Sequence, residues 1–260
     1  MLPLVAPAQA MHGIGPKMEK MGPPSEHVLL IHRAEQYWVD SRRPLASLVF
    51  ILPPLVTYEV GVLWLGVHPN GADAFLRRLL EMIGFGQHFL LPGLIVGILL
   101  GWHYLTRSSW RLSGGILSAM VVESIALGLC VRLIALLQNS IVAIGAVAKV
   151  KEAVGTAVGY LGAGIYEELL FRLILLSLLA WAFRHAGMSQ RMSMIAAALL
   201  SSLLFAAAHH VGPYGEWPIQ WSHFLFRTVA GMFFSVVYVY RGFGIAAGSH
   251  AAYDIMVGVL

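Results

Sequence analysis

Seven apolar stretches dominate the sequence beyond residue 44, and each is about long enough to cross a lipid bilayer as a helix. They are Leu45–Val67, His88–Leu105, Ser113–Leu137, Thr156–Phe183, Met192–Val211, Trp221–Tyr240 and Phe243–Leu260. A helix needs about 20 mostly apolar residues to span the hydrocarbon core. Apolar residues make up 58% of the chain and charged residues only 12%, a balance that excludes an ordinary soluble domain. The sequence therefore predicts an all-α fold, a polytopic transmembrane helical bundle of about seven spans.

Two parts of the chain lie outside these stretches. The segment Gly71–Phe85 carries Arg77, Arg78 and Glu81 among its apolar residues, so it is too short and too charged to span. We expect it to form an amphipathic helix at the membrane interface. Residues 1–44 are polar and rich in Pro, Gly and Met, which predicts a polar N-terminal tail before a single bundle over residues 45–260.

Basic residues indicate how the spans are oriented, because short loops rich in Lys and Arg stay in the cytoplasm. With a cytoplasmic N-terminus, ten basic residues fall on the inner side: Lys17, Lys20, Arg33, Arg42, Arg43, Arg107, Arg111, Arg184, Arg191 and Arg241. Four fall on the outer side: Arg77, Arg78, Lys149 and Lys151. We therefore expect an integral membrane protein with a cytoplasmic N-terminus, in a prokaryotic inner (plasma) membrane. The basic residues form no stripe, so we expect no nucleic-acid partner.

Three ionisable residues stand close together inside the fourth apolar stretch. Glu168 and Arg172 are four residues apart and share one face of a helix, whereas Glu167 is rotated by about 100°. An ionisable residue in a span costs about 2.5–3.5 kcal/mol on insertion scales, so this group calls for a function or for internal pairing. One glutamate can neutralise the arginine while the other remains available for chemistry. The alternative is an ion-pair cluster that only joins helices.

Two further spans carry a histidine paired at helical spacing, His209 with Phe205 and His250 with Asp254. We expect them to converge with Glu167 in one polar cavity. A glutamate held away from bulk water can act as a general base on a water molecule, with histidines orienting that water or facing the oxyanion. The same set could instead hold a divalent metal such as zinc, which lowers the pKa of bound water.

The motifs in these spans resemble those of a known protein family. Three motifs follow one another in order: Glu167-Glu168-Leu-Leu-Phe-Arg172 is similar to EExxxR, Phe205-Ala-Ala-Ala-His209 to FxxxH, and His250-Ala-Ala-Tyr-Asp254 to HxxxN/D. Over residues 156–260 the chain resembles the CPBP family of intramembrane proteases, which comprises CAAX proteases and bacteriocin-processing enzymes. The resemblance implies an integral membrane endopeptidase, of the glutamic type in preference to a metallopeptidase. Its partners would be the lipid bilayer and a membrane-anchored protein or peptide substrate, cut near its C-terminal or processing site.

The resemblance also implies roles for individual residues. Glu167 would be the general base and His209 would help to activate water, while His250 and Asp254 would stabilise the oxyanion. Supporting positions are Glu168, Arg172 and Phe205, and possible contacts to substrate are Tyr166, Arg227 and Tyr253. No cofactor is favoured; a metal, if bound, would use Glu167, His209 and His250. Asp254 stands where much of the family has asparagine, and an ionised aspartate cannot donate to an oxyanion. It is therefore protonated, orients His250 or helps to bind a metal.

Other functions use buried glutamate and histidine as well. A proton- or ion-coupled transporter relays protons through such groups, although the polar residues here cluster in the last four spans with no sign of paired repeats. A metal-dependent membrane oxidase usually needs more histidines. A non-catalytic family member acting as a scaffold or immunity protein is a further alternative, against which the intact motif set argues.

Overall fold

The computed structural model describes residues 26–86, 88–138, 150–211, 215 and 218–259. These ranges are helical and contain no strand, which confirms the predicted all-α fold. The helices are α1 (Glu26–Ser41), α2 (Pro44–Trp64), α3 (Gly71–Met82), α4 (Leu90–Leu105), α5 (Gly114–Leu137), α6 (Val150–Glu168), α7 (Ser177–His185), α8 (Gln190–Ala208), α9 (Trp221–Arg241) and α10 (Phe243–Gly258). A π-helical segment, Leu169–Leu176, joins α6 to α7 without a break.

Four of these helices, α2, α5, α8 and α9, are long and apolar enough by length and composition to cross a membrane. The apolar helix α4 has only 16 residues, as does α10. The predicted span Thr156–Phe183 is divided among α6, the π-helical segment and α7. The result is a helical membrane bundle in which two of the three motif-bearing stretches, Thr156–Phe183 and Phe243–Leu260, differ from simple spans.

The predicted interfacial helix is present as α3, which begins where the Asn70 side chain accepts a hydrogen bond from the Asp73 backbone N–H. Phe75, Leu79 and Met82 are exposed at positions that share one face of α3. This arrangement suits a helix that lies on a membrane interface. Arg77 does not face solvent, because it reaches into the bundle and pairs with Asp73 at 2.6 Å.

The predicted N-terminal tail contains a helix that composition alone did not indicate. Residues 1–25 lie outside the described part of the chain, whereas residues 26–41 form α1. The Tyr37 hydroxyl donates to Glu123 on α5, and Arg241 on α9 pairs with the same carboxylate at 2.5 Å. Burial, together with Glu123, raises the pKa of Tyr37. These contacts explain Glu123 as a structural residue that attaches α1 to the bundle.

Helix α10 lies at the centre of the bundle, packed against α2, α5, α6 and α9. Its approach to α6 depends on Gly164. A Cβ atom at this position would lie 2.7 Å from the Ala247 carbonyl oxygen and 2.8 Å from the Ala251 Cβ. Small residues allow helix backbones to approach closely in a membrane. This contact brings the end of α6 beside the polar residues of α10.

We expect Gly164→Ala to destabilise the protein by about 1–3 kcal/mol, because the added methyl group forces α6 and α10 apart. Gly155→Ala is the matched control, since a Cβ at Gly155 on the same helix would meet nothing within 4 Å. The measurement is thermal unfolding of each purified variant in detergent. Equal melting temperatures for the two variants would contradict the close packing of α6 on α10.

Candidate active site

The four predicted catalytic residues meet at the junction of three helices. Glu167 is the penultimate residue of α6, His209 directly follows α8, and His250 and Asp254 lie on α10. Glu167 Oε2 lies 3.8 Å from His250 Nε2 and 3.9 Å from His209 Nε2. His250 Nε2 also lies 3.5 Å from Asp254 Oδ2. The structure thus places the residues of three separate sequence motifs around one carboxylate.

A buried ion pair lies on the closed side of this arrangement and contacts it. Glu168 Oε1 lies 2.9 Å from Arg172 Nη1, and both side chains are fully buried. The same oxygen lies 2.7 Å from His250 Nδ1. Arg172 also donates to the Gly231 carbonyl oxygen on α9 at 3.2 Å. The expected pairing of Glu168 with Arg172 is therefore present, and Glu168 additionally holds His250, a contact between distant parts of the chain that the motif spacing did not reveal.

Aromatic rings enclose the charged groups. Phe205 lies beneath the Arg172 guanidinium at 4.5 Å and contacts the His209 ring edge-on at 4.8 Å. Phe234 on α9 stacks on His250, with ring centroids 4.5 Å apart and planes 12° from parallel. Sequence analysis missed Phe234 because it is one of several aromatic residues in an apolar span. The imidazole of His250 is therefore fixed by a ring on its face and a carboxylate on its Nδ1.

The π-helical segment Leu169–Leu176 begins directly after Glu168 and contains Arg172. In a π-helix each N–H bonds five residues back, and such segments are frequent at functional sites. Ser201 on α8 donates to the Phe171 carbonyl oxygen within the segment at 2.6 Å. The wider turn changes the direction of the side chains that follow it, which a regular 3.6-residue period does not predict.

The site has an accessible side and a closed side. The Glu167, Asp254 and His209 side chains are 14%, 19% and 29% exposed, whereas those of Glu168 and Arg172 are completely buried. Of the two adjacent glutamates, only Glu167 can therefore meet a water molecule or a substrate. The roles that the motif resemblance implied for the two glutamates stay a prediction.

The residues predicted to contact substrate are placed differently from one another. Arg227 is half-buried on α9, close enough for its charge to act on His209 and Asp254. The Tyr253 ring packs against Phe226, with centroids 5.8 Å apart. Tyr166, in contrast, is fully buried and its hydroxyl donates to Glu59 on α2. Arg227 thus lies near the predicted catalytic residues, whereas Tyr166 belongs to a different cluster of polar residues.

Glu167, His209 and His250 are the residues predicted to hold a metal ion if one binds. Within the described ranges, no three or more His, Cys, Asp or Glu side chains are arranged to hold a metal ion. The possible metal set therefore stays a prediction from the residue types alone.

The fold and the site together define a helical integral membrane protein with a carboxylate–histidine group among its helices. Residues 149–256 match the family described as Type II CAAX prenyl endopeptidase Rce1-like, which confirms the resemblance to CAAX proteases that the three motifs carry. All three motifs fall within the matched range. Comparisons with curated proteins and with solved structures found no match.

Proposed function

We propose that this protein is an intramembrane endopeptidase in which Glu167 activates the attacking water. One observation carries the proposal: the Glu167 carboxylate lies 3.8 and 3.9 Å from Nε2 of two histidines on two other elements. These separations are too long for direct hydrogen bonds, and polar groups more than about 3.5 Å apart can be bridged by a water molecule. A water held between them would touch a base and two imidazoles at once.

The chemistry follows from the positions of these groups. Glu167 takes one proton from water, and the remaining hydroxide oxygen bonds to the carbonyl carbon of the scissile peptide. The carbonyl electron pair moves onto its oxygen, which becomes an oxyanion. When the C–N bond breaks, the leaving nitrogen takes the proton from Glu167. A positioned general base contributes about 10²- to 10⁴-fold to such a step.

His250 is the residue that can face the oxyanion. Its Nδ1 lies 2.7 Å from the Glu168 carboxylate, so Nδ1–H is the donor there. If Nε2 also donates, the ring is an imidazolium whose positive charge opposes the developing negative charge. Asp254, 3.5 Å from Nε2, would favour that charged ring. We therefore propose that Asp254 supports His250 in place of donating a hydrogen bond itself.

The proposed substrate is a membrane-associated or lipid-anchored protein, cleaved near its C-terminal or processing site. The family description, a CAAX prenyl endopeptidase, supports a prenylated C-terminal sequence as the first candidate. The lipid bilayer is the second partner, and a cytoplasmic N-terminus in a prokaryotic inner membrane is part of the same proposal. No cofactor is included, and no step depends on a metal.

The test is cleavage of a quenched prenylated peptide by purified, chelator-treated protein in detergent containing ¹⁸O-water. We expect the new C-terminal carboxylate to carry one ¹⁸O atom, because one oxygen comes from the attacking water. Activity that chelation abolishes and zinc restores would contradict the glutamic mechanism and favour a metallopeptidase. No cleavage with or without metal, for prenylated and unmodified peptide libraries alike, would contradict the peptidase proposal and favour a non-catalytic role.

A further inference from the structure

A second buried polar cluster adjoins the site on the other side of α6. Its members are Tyr58, Glu59, Asp73, Arg77, His88 and Tyr166, which we name the Glu59 cluster. Glu59 and Asp73 are almost completely buried, in contact with the polar groups of α2, α3 and α6. None of these residues takes part in the proposed chemistry. Buried charges are costly unless they are paired, so the cluster calls for an explanation.

The charges within the cluster are paired in a chain of contacts. Arg77 donates to both oxygens of Glu59 at 3.1 Å and to Asp73 at 2.6 Å. It also donates to the His88 carbonyl oxygen at 2.6 Å, and His88 Nε2 lies 3.0 Å from Glu59. Asp73 accepts a further hydrogen bond from the Tyr58 hydroxyl at 2.7 Å. Glu59 is therefore held rigidly, as an acceptor whose position is set by α3.

Tyr166 connects this rigid acceptor to the candidate active site. Its hydroxyl donates to Glu59, and its ring lies 5.5 Å from that of Tyr58. Tyr166 directly precedes Glu167 in α6, and on an α-helix it points about 200° away from Glu168. Glu168 and Tyr166 thus lie on nearly opposite sides of α6, with Glu167 between them at about 100° from each.

The π-helical segment interrupts the regular α-helix directly after the two glutamates. Because the segment begins at Leu169, regular α-helical hydrogen bonding does not extend past Glu168 to fix the rotation of α6. Glu168 is held on one side by Arg172 and His250. On the other side, Gly162 lies directly against the Tyr58 ring, which leaves no room for a side chain there. Tyr166 directly precedes the two glutamates, and its hydroxyl makes a hydrogen bond to Glu59 on this side of α6.

We propose that Tyr166, through the Glu59 cluster, is a positioning residue that sets the rotation of α6 and so aims Glu167 at His209 and His250. This inference rests on the proposed peptidase function. It replaces the expectation that Tyr166 contacts substrate. A displacement of about 1 Å at a catalytic group can cost about 10²-fold in rate, so a single lost hydroxyl has a measurable effect.

The experiment compares Tyr166→Phe with Tyr238→Phe. The control removes another buried hydroxyl, which lies 3.4 Å from Ser177 Oγ, away from the Glu59 cluster. For Tyr166→Phe we expect kcat to fall by about tenfold to hundredfold with KM nearly unchanged. We expect the melting temperature to fall by at most about 4 °C, because one hydrogen bond is lost from a large bundle. Tyr238→Phe should retain kcat.

A readout independent of cleavage separates this inference from the peptidase proposal. In protein with ¹⁵N-labelled histidine rings, the Nδ1 resonance of His250 reports its bond to Glu168. It is assigned by its loss in His250→Gln. Tyr166→Phe should move this resonance and Tyr238→Phe should not. If the protein cleaves no peptide, the resonance alone decides the positioning role.

Two results would overturn the inference. An unmoved His250 resonance with wild-type kcat would mean that the Tyr166 hydroxyl positions nothing, and a raised KM with unchanged kcat would mean that it contacts substrate. Glu59→Gln adds a double-mutant cycle. If Tyr166 acts through Glu59, the double variant loses no more kcat than Glu59→Gln alone, whereas additive losses would show that the two act separately.

Discussion

Replacing Glu167 with glutamine is expected to lower kcat for peptide cleavage by about 10²- to 10⁴-fold while leaving the melting temperature almost unchanged. Glutamine has nearly the same shape but cannot accept a proton from water. Among the described residues, Glu167 lies 3.8 and 3.9 Å from the Nε2 atoms of His250 and His209, and its side chain is 14% exposed. The substitution therefore removes a base without leaving a buried charge unpaired.

The adjacent glutamate provides the sharpest comparison. Glu168→Gln leaves Arg172 buried without its counter-ion and removes the carboxylate at His250 Nδ1. We expect this variant to lose both stability and activity. Glu81→Gln, at an exposed glutamate on α3, is the control and should change neither. If Glu167→Gln retained wild-type kcat, or if the two glutamates had the opposite effects, Glu167 would not be the general base.

Replacing Arg172 with methionine is expected to have the largest effect on stability, a loss of about 3–5 kcal/mol. Arg172 is completely buried, lies 2.9 Å from Glu168 and packs over the Phe205 ring. Methionine fills much of the space but leaves the Glu168 carboxylate charged in the protein interior. The measurement is thermal unfolding in detergent, with Arg184→Met at the exposed end of α7 as the control.

A double variant distinguishes charge from packing at this position. Removing both charges, as in Glu168→Gln with Arg172→Met, leaves no unpaired ion, so we expect it to be more stable than Arg172→Met alone. Activity should stay low, because His250 has lost the carboxylate that holds its Nδ1. Equal stability of the double variant and Arg172→Met would indicate that the loss comes from packing against Phe205.

The sequence predicted well those features that depend on neighbouring residues. Glu168 and Arg172, four residues apart, are paired as expected. His250 and Asp254, also four apart, lie within 3.5 Å of each other. The amphipathic pattern of Gly71–Phe85 corresponds to α3. Helical periodicity determines which side chains share a face, so these relationships follow from spacing alone.

Features that depend on packing between distant segments could not be predicted. The pairs Glu168–His250 and Tyr166–Glu59 join residues 82 and 107 positions apart, and nothing in the local sequence of either partner indicates the other. The docking of α1 through Tyr37 and Glu123 is a contact of the same kind. Tyr166 shows the limit most clearly, because its place beside the first motif suggested a substrate contact while its side chain faces the opposite side of α6.

By itself, the sequence determined that this chain is a helical membrane protein and named the motifs around which its chemistry would be built. Apolar stretches of the right length require helices in a bilayer, since every backbone polar group must be satisfied within the segment. Only the tertiary structure decided which glutamate is accessible, what holds His250, and how α6 is rotated before the π-helical segment. Those properties depend on side chains brought together from separate helices, where close packing and burial of charge select one partner among many.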